Sequence, residues 1–270
     1  WQTSVKDAIP TIKKEMATRY KQDSDIKLYV KNPKGLAKAL KEVLAEYGID
    51  SNDTDTIPIF LLQTHEIQDS NEHFEHCMAE ILVRLKNYGS LVVDILEVMR
   101  NEYIVAILHT VINITRDATG KEFKSSGRVD FTIKEAEDLI CVAEDKPQRN
   151  IVEGYAQNIK QLKSSFQTNK RKRKWDDDDF DYLYSIVTTA RDWHFLLYTP
   201  RVISQCSKLP LSIEFSEDAL KKDSVEYQTL HNGVKKVLSV VVGLLKDRAC
   251  AEDDSSSKKK ARIEEYRSKK

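Results

Sequence analysis

The apolar pattern changes its period near residue 120, and that change restricts the chain to folds in which helices pack on a sheet. Before it, Phe74, Cys77, Ile81, Leu82 and Leu85 recur at helical spacing until Tyr88 and Gly89 stop the run. A second helical pattern spans about Leu91 to Arg116, with Ile95, Leu96, Met99, Ile104, Leu108, Ile112 and Ile114 as a broad apolar face. After it, Arg128 to Ile133 alternates Val129, Phe131 and Ile133 against Arg128, Asp130 and Thr132, and Leu139 to Ala143 is an unbroken apolar run. Both read as strands, and the short stretch Glu135 to Asp138 joins them as a hairpin.

Helical spacing returns from Gly154 to Ser165. Tyr182 to Thr189 and Trp193 to Thr199 form a second hairpin around Ala190 to Asp192, and Leu211 to Phe215 reads as an edge strand. A closing helix, Val234 to Lys246, carries Val237, Leu238, Val241, Leu244 and Leu245 on one face. Asp69 and Glu72 fit a capping box for the first long helix. Upstream, the residues predict a charged helix, a strand at Ile26 to Val30, and a helix from Pro33 to Tyr47 ending at Gly48. The expected fold is α/β, a mixed central sheet of about five strands flanked by helices. Loop composition at Asp50 to Asp55 suggests a soft boundary, giving an N-terminal segment 1–50, a main domain 51–250 and a charged tail 251–270.

Composition excludes several function classes. Lys plus Arg and Asp plus Glu both number 43, so any nucleic-acid partner must be met by local patches rather than a global field. Cys77, Cys141, Cys206 and Cys250 lie far apart with no CxxC pair, which predicts reduced thiols and no disulfide framework. The longest apolar candidate, Val237 to Leu245, falls well short of the roughly 18 to 20 residues of a membrane helix, so no membrane partner is expected. With 8 glycines there is no P-loop or dinucleotide pattern, and no GxSxG occurs. The chain opens on Trp1 rather than Met, so it is read as a fragment, and whether a targeting segment preceded it is left open.

The chemistry concentrates at the end of the second predicted strand. Strand alternation sends Glu144 and Lys146 to one face and Asp145 to the other. Asp130 lies on the neighbouring strand of the hairpin, where cross-strand neighbours are about 5 Å apart, so the three groups can converge. Carboxylates suit Mg²⁺, which takes only one or two from the protein and keeps waters; Mn²⁺ is the alternative. A bound cation lowers the pKa of a water and offsets phosphoryl charge, and an ammonium beside it can orient the attacking water.

An Asp followed about a dozen residues later by ExK at a strand end resembles the PD-(D/E)XK nucleases. The segments NEYIVAILHT, GRVDFTI, AEDK, EGYAQNIKQLKSS, SIVTTARDWHFLLYT and VKKVLSVVVGLLKD further resemble the nuclease-like C-terminal domains of crinkler-type effector proteins, over about Asn101 to Lys246. The resemblance implies a restriction-endonuclease-like fold, Glu102 as an additional helix carboxylate on the metal, and Gln157 of the AQN motif as a polar site member. It also implies a secreted effector acting in a nucleus, although no crinkler header is visible in residues 1–50. Two positions depart from the pattern: Asp145 stands where an apolar residue is frequent, and Val129 precedes Asp130 where Pro is frequent.

The reading is therefore a Mg²⁺-dependent endonuclease cleaving DNA phosphodiesters, with Asp130, Glu144, Lys146, Glu102 and Gln157 as its site. The alternative is an inactive nuclease-fold module that binds DNA or a protein. The basic run Lys170, Arg171, Lys172, Arg173 and Lys174 is read as a nucleic-acid contact and as a signal for a nuclear import receptor, against a plain solvated loop neutralised by Asp176 to Asp179. His73, His76 and Cys77 lack a second ligand pair at finger-like distance, so the histidines are read as solvent-facing and Cys77 as core. Trp193 shares strand spacing with Phe195 and Leu197 and is read as core rather than as a base-stacking surface.

Overall fold

The computed structural model describes residues 33–49, 53–92, 96–126, 131–135, 138–145, 151–172 and 182–252. The predicted strand at Ile26 to Val30, the charged helix before it and the tail from residue 253 lie outside them. The described chain is mixed α/β. Its helices are α1 (Pro33–Ala45), α2 (Glu72–Tyr88), α3 (Glu97–Thr119), α4 (Ile151–Lys172) and α5 (Val225–Glu252). Its strands are β1 (Phe123–Ser126), β2 (Phe131–Glu135), β3 (Asp138–Asp145), β4 (Leu183–Thr188), β5 (Asp192–Thr199), β6 (Val202–Gln205) and β7 (Leu211–Ser212).

The strands form one sheet in sequential order from β1 to β6, with β7 added against β5. β1, β2 and β3 make an antiparallel meander. β3 and β4 are parallel, which requires a crossover, and α4 provides it. β4, β5 and β6 are antiparallel again. The sheet has seven strands rather than about five. The two unexpected ones are short: β1 reads FKSS, with one apolar residue in four, and β6 reads VISQ, so neither shows a period. β7 covers Leu211–Ser212 and not the whole of Leu211 to Phe215; the Ile213 amide bonds the Arg191 carbonyl at 2.8 Å in the same register, one residue beyond the strand.

Helices cover both faces. On one, α2, α3 and α5 bury Phe74, Ile81, Ile104, Val111, Val237 and Val241 against Ile133, Cys141, Ala143, Ile186, Trp193 and Phe195. On the other, α1 and α4 bury Leu40, Leu44, Tyr155, Ile159 and Leu162 against Leu183, Val187, Leu196 and Tyr198. The helix Pro33–Ala45 thus belongs to the second core and is not an appendage to it. Three starts differ from expectation. The α2 cap is Asn71, whose side chain accepts from the Phe74 amide at 3.0 Å, while Asp69 turns away to Lys235 Nζ at 2.6 Å. α3 begins at Glu97 because Leu91 is used in the core and its amide bonds the Phe215 carbonyl at 3.0 Å. α5 begins at Val225, ahead of its strong apolar periodicity, where Leu230 and Val234 already pack.

Two histidines titrate with the fold. Burial lowers the pKa of His194, whose Nδ1 is buried without a hydrogen-bond partner beside the Tyr155 ring, 5.4 Å between centroids. Burial and then the Lys246 ammonium, Nζ 3.0 Å from Nδ1, lower His65. Both are depressed, so the unfolded chain takes up protons first, and stability contributed by the neutral rings is complete above about pH 6.5. It should fall as pH drops below that value towards the folded-state pKa. Urea denaturation of the wild type and His65→Gln/His194→Gln at pH 7.5 and 5.5 checks this, and an unchanged pH slope in the double variant refutes it.

Candidate active site

The predicted site residues divide into those the structure describes and those it does not. Asp130, Lys146, Arg173 and Lys174 lie outside the described residues, as do the side chains of Glu144, Lys170, Arg171 and Lys172. The backbone of Glu144 is the penultimate residue of β3 and pairs with Val187 of the parallel strand β4. Asp145, which ends β3, pairs with Thr188. The AEDK segment therefore marks the carboxyl end of the parallel pair, the end where open α/β sheets hold ligands.

Asp145 faces the α3 layer and is buried there. Arg100, the fourth residue of α3, donates from Nε to Oδ1 at 3.1 Å and from Nη2 to Oδ2 at 3.0 Å, with side-chain exposures of 4% and 2% for Arg and Asp. This fork-to-carboxylate geometry ties the first turn of α3 to the end of β3. The residue that departs from the usual triplet thus has its own partner on the far face. Sequence reasoning missed Arg100. Its signal is the stripe Arg100, Ile104, Ile107, Val111 and Ile114, on which an arginine stands at an apolar position.

Glu102 is exposed on α3, with its carboxylate 3.4 Å from Arg84 Nε; Arg84 also donates to Glu80 Oε2 at 3.0 Å. Glu102 and Gln157 belong to helices on opposite faces of the sheet, so the structure does not bring them together. Gln157 is half-buried on α4. Its neighbour Asn158 makes the strand contact: fully buried, it accepts a short hydrogen bond from Ser185 Oγ and donates to the Ile186 carbonyl at 3.5 Å. Asn158 lies on the stripe Tyr155, Asn158, Ile159 and Leu162, which again was visible as a polar residue among core positions.

Among the described residues no three His, Cys, Asp or Glu side chains converge as a metal group. Glu102 is exposed beside Arg84; Asp130 and Glu144 suit a ligand role by residue type and number, since Mg²⁺ needs only one or two protein carboxylates. His73 Nε2 lies 2.8 Å from Asp117 and exposed His76 lies 3.0 Å from Glu80, while Cys77 is buried with its thiol pKa raised to about 11 by desolvation. Trp193 is a core residue, fully buried, with Nε1 donating to the Ala190 carbonyl at 2.8 Å. The basic run begins at the far end of α4: at a rise of 1.5 Å per residue, Lys170 is about 28 Å from Ile151 along the helix. No helix among the described residues is long and apolar enough to cross a membrane.

No protein-family model, curated protein or solved structure matches the chain.

Proposed function

We propose that the chain is a metal-dependent endonuclease that hydrolyses DNA phosphodiester bonds on a PD-(D/E)XK-type core. The observation that carries this reading is the meeting of elements at the carboxyl end of β3. The first turn of α3 is anchored there by Arg100, and α4 starts at Ile151, six positions after Asp145. Helix N-termini carry partial positive charge and orphan amides, which suits a phosphate. The order of helix, three-stranded meander, crossover helix and parallel strand supports a restriction-endonuclease-like arrangement.

In this reading Asp130 and Glu144 hold Mg²⁺ or Mn²⁺, which would supply a water of lowered pKa and offset charge on the phosphoryl oxygens. Lys146 orients the attacking water and stabilises the charge that develops on the phosphate. Gln157 is a polar neighbour of the substrate. Glu102 is the additional helix carboxylate of this reading; its exposed 3.4 Å contact with Arg84 is weak enough for a cation to displace. The basic run Lys170 to Lys174, whose first residue lies about 28 Å along α4 from its start, fits an import signal for the nucleus better than a contact at the scissile phosphate.

The purified chain should nick supercoiled plasmid in Mg²⁺ and stop when the metal is chelated. Lys146→Ala should slow nicking at least about 100-fold. No nicking by the wild type, or equal nicking by the variant, would remove the catalytic reading. The inactive binding module would then be distinguished by calorimetry: duplex binding that persists with no Mn²⁺ binding dependent on Asp130 and Glu144.

A further inference from the structure

Strand alternation gives the β1–β2 hairpin two unlike faces. Phe123, Phe131 and Ile133 turn into the core beneath α2, α3 and α5. Lys124, Thr132 and Lys134 turn to the other face. There α4 and α1 pack over the strands from β3 to β6, and among the described residues no helix packs over β1 and β2. Lys124 is exposed, Lys134 is partly exposed, and the register makes them direct cross-strand partners. Neither has a carboxylate partner among the described residues.

Like charges directly opposite each other destabilise a sheet. A chain with 43 cationic and 43 anionic side chains has ample means to place a carboxylate at one of these positions, yet both carry ammonium groups. A polyanion laid across the hairpin converts that repulsion into attraction. Resting on the nuclease reading above, we propose that Lys124 and Lys134 form a ledge that holds the phosphate backbone of a DNA duplex beside the candidate site. The spacing fits. The register shifts by one residue at Ile133/Lys134, and Lys134 lies three residues along β2 from Phe131, the partner of Ala143, so Glu144 is about four residues, or about 13 Å, away at 3.3 Å per residue. Duplex DNA rises about 3.4 Å per base pair, so the ledge would grip the backbone roughly four base pairs from the bond being cut. Thr132, which pairs with Val142, lies between the two points on the same face.

The experiment measures duplex binding by the full chain in chelator, from roughly 50 to 200 mM salt. Lys124→Gln/Lys134→Gln should reduce the slope of log affinity against log salt by about 2, and weaken binding about 10- to 100-fold at the low-salt end. Lys124→Arg/Lys134→Arg should restore both. Lys134→Glu separates binding from folding, because a new ion pair with Lys124 should hold or raise the thermal midpoint while duplex affinity falls. An unchanged salt slope in the Gln pair, or a Glu variant that loses binding only in step with a fallen midpoint, overturns the ledge. If the wild type nicks plasmid and the Gln pair binds like it, the ledge is wrong and the nuclease reading stands. If the wild type fails to nick but binding depends on the two lysines, catalysis is wrong and the ledge stands. If the wild type does not bind duplex, both are wrong.

Discussion

Asp145→Ala should cost about 3 to 5 kcal/mol of folding stability, because it leaves a buried guanidinium facing the place of its lost carboxylate. Desolvation decides the size. An exposed Arg–Asp pair contributes about 0 to 1 kcal/mol, since water serves each ion nearly as well. Here the side chains are 4% and 2% exposed, so water cannot take over. The same physics predicts that Arg100→Met/Asp145→Leu, which removes both charges and keeps apolar volume, is close to neutral in stability. The pair's contribution is then geometric: it sets how the end of β3 sits against α3. Urea denaturation of the wild type, the single and the double variant checks this at constant m-value. A loss below about 1 kcal/mol in Asp145→Ala would mean that the pair is solvated. A double variant that folds as well as the wild type but nicks plasmid more slowly would assign the pair to positioning the segment that holds Glu144 and Lys146.

That pair also shows where sequence reading stops. Long periodic segments were legible: Phe74 to Leu85, the two strands flanking Ala190 to Asp192, and the stripe Val237 to Leu245 all lie in the elements expected of them. Elements whose stability comes from neighbours were not. β1 and β6 are four residues each and are held by ladders to β2 and β5, information that no local window contains. At the candidate site, the placing of Ala143, Glu144 and Asp145 at a strand end could be read directly, while Asp130 and Lys146 lie outside the described residues. The Arg100–Asp145 bond joins residues 45 positions apart, and Asn158 reaches Ser185 over 27, so only the fold reveals them. Both nevertheless leave a local trace, a polar residue on an otherwise apolar helical stripe. Glu102, in contrast, is two positions from Arg100 and so lies about 200° around the helix from it, which accounts for its engagement with Arg84 instead.

Gly243→Ala should destabilise the fold by about 2 kcal/mol even though alanine is the better helix former by about 1 kcal/mol. Gly243 lies inside α5, where the connecting segment 63–65 crosses the helix. A Cβ there would stand 2.2 Å from the Gln63 carbonyl oxygen and 2.9 Å from Thr64 Cα. The obstruction is backbone, so no rotamer change relieves it. The segment cannot withdraw freely either. The His65 amide bonds the Ser239 carbonyl at 2.9 Å, Ser239 Oγ bonds the His65 carbonyl at 2.6 Å, and Lys246 reaches His65 Nδ1 at 3.0 Å. Pushing residues 63–65 outward stretches these contacts and loosens Phe60 and Ile67, which anchor the segment's ends in the main core. Gly233 in the same helix is the internal control. Its Cβ would meet Ser212 O and Ile213 Cα at 3.3 Å, a shortfall of a few tenths of an ångström that two chain segments can share. Thermal or urea unfolding of both variants should place Gly243→Ala well below Gly233→Ala. Equal midpoints would mean that the 63–65 segment yields at little cost, and that α5 is held by its apolar stripe alone.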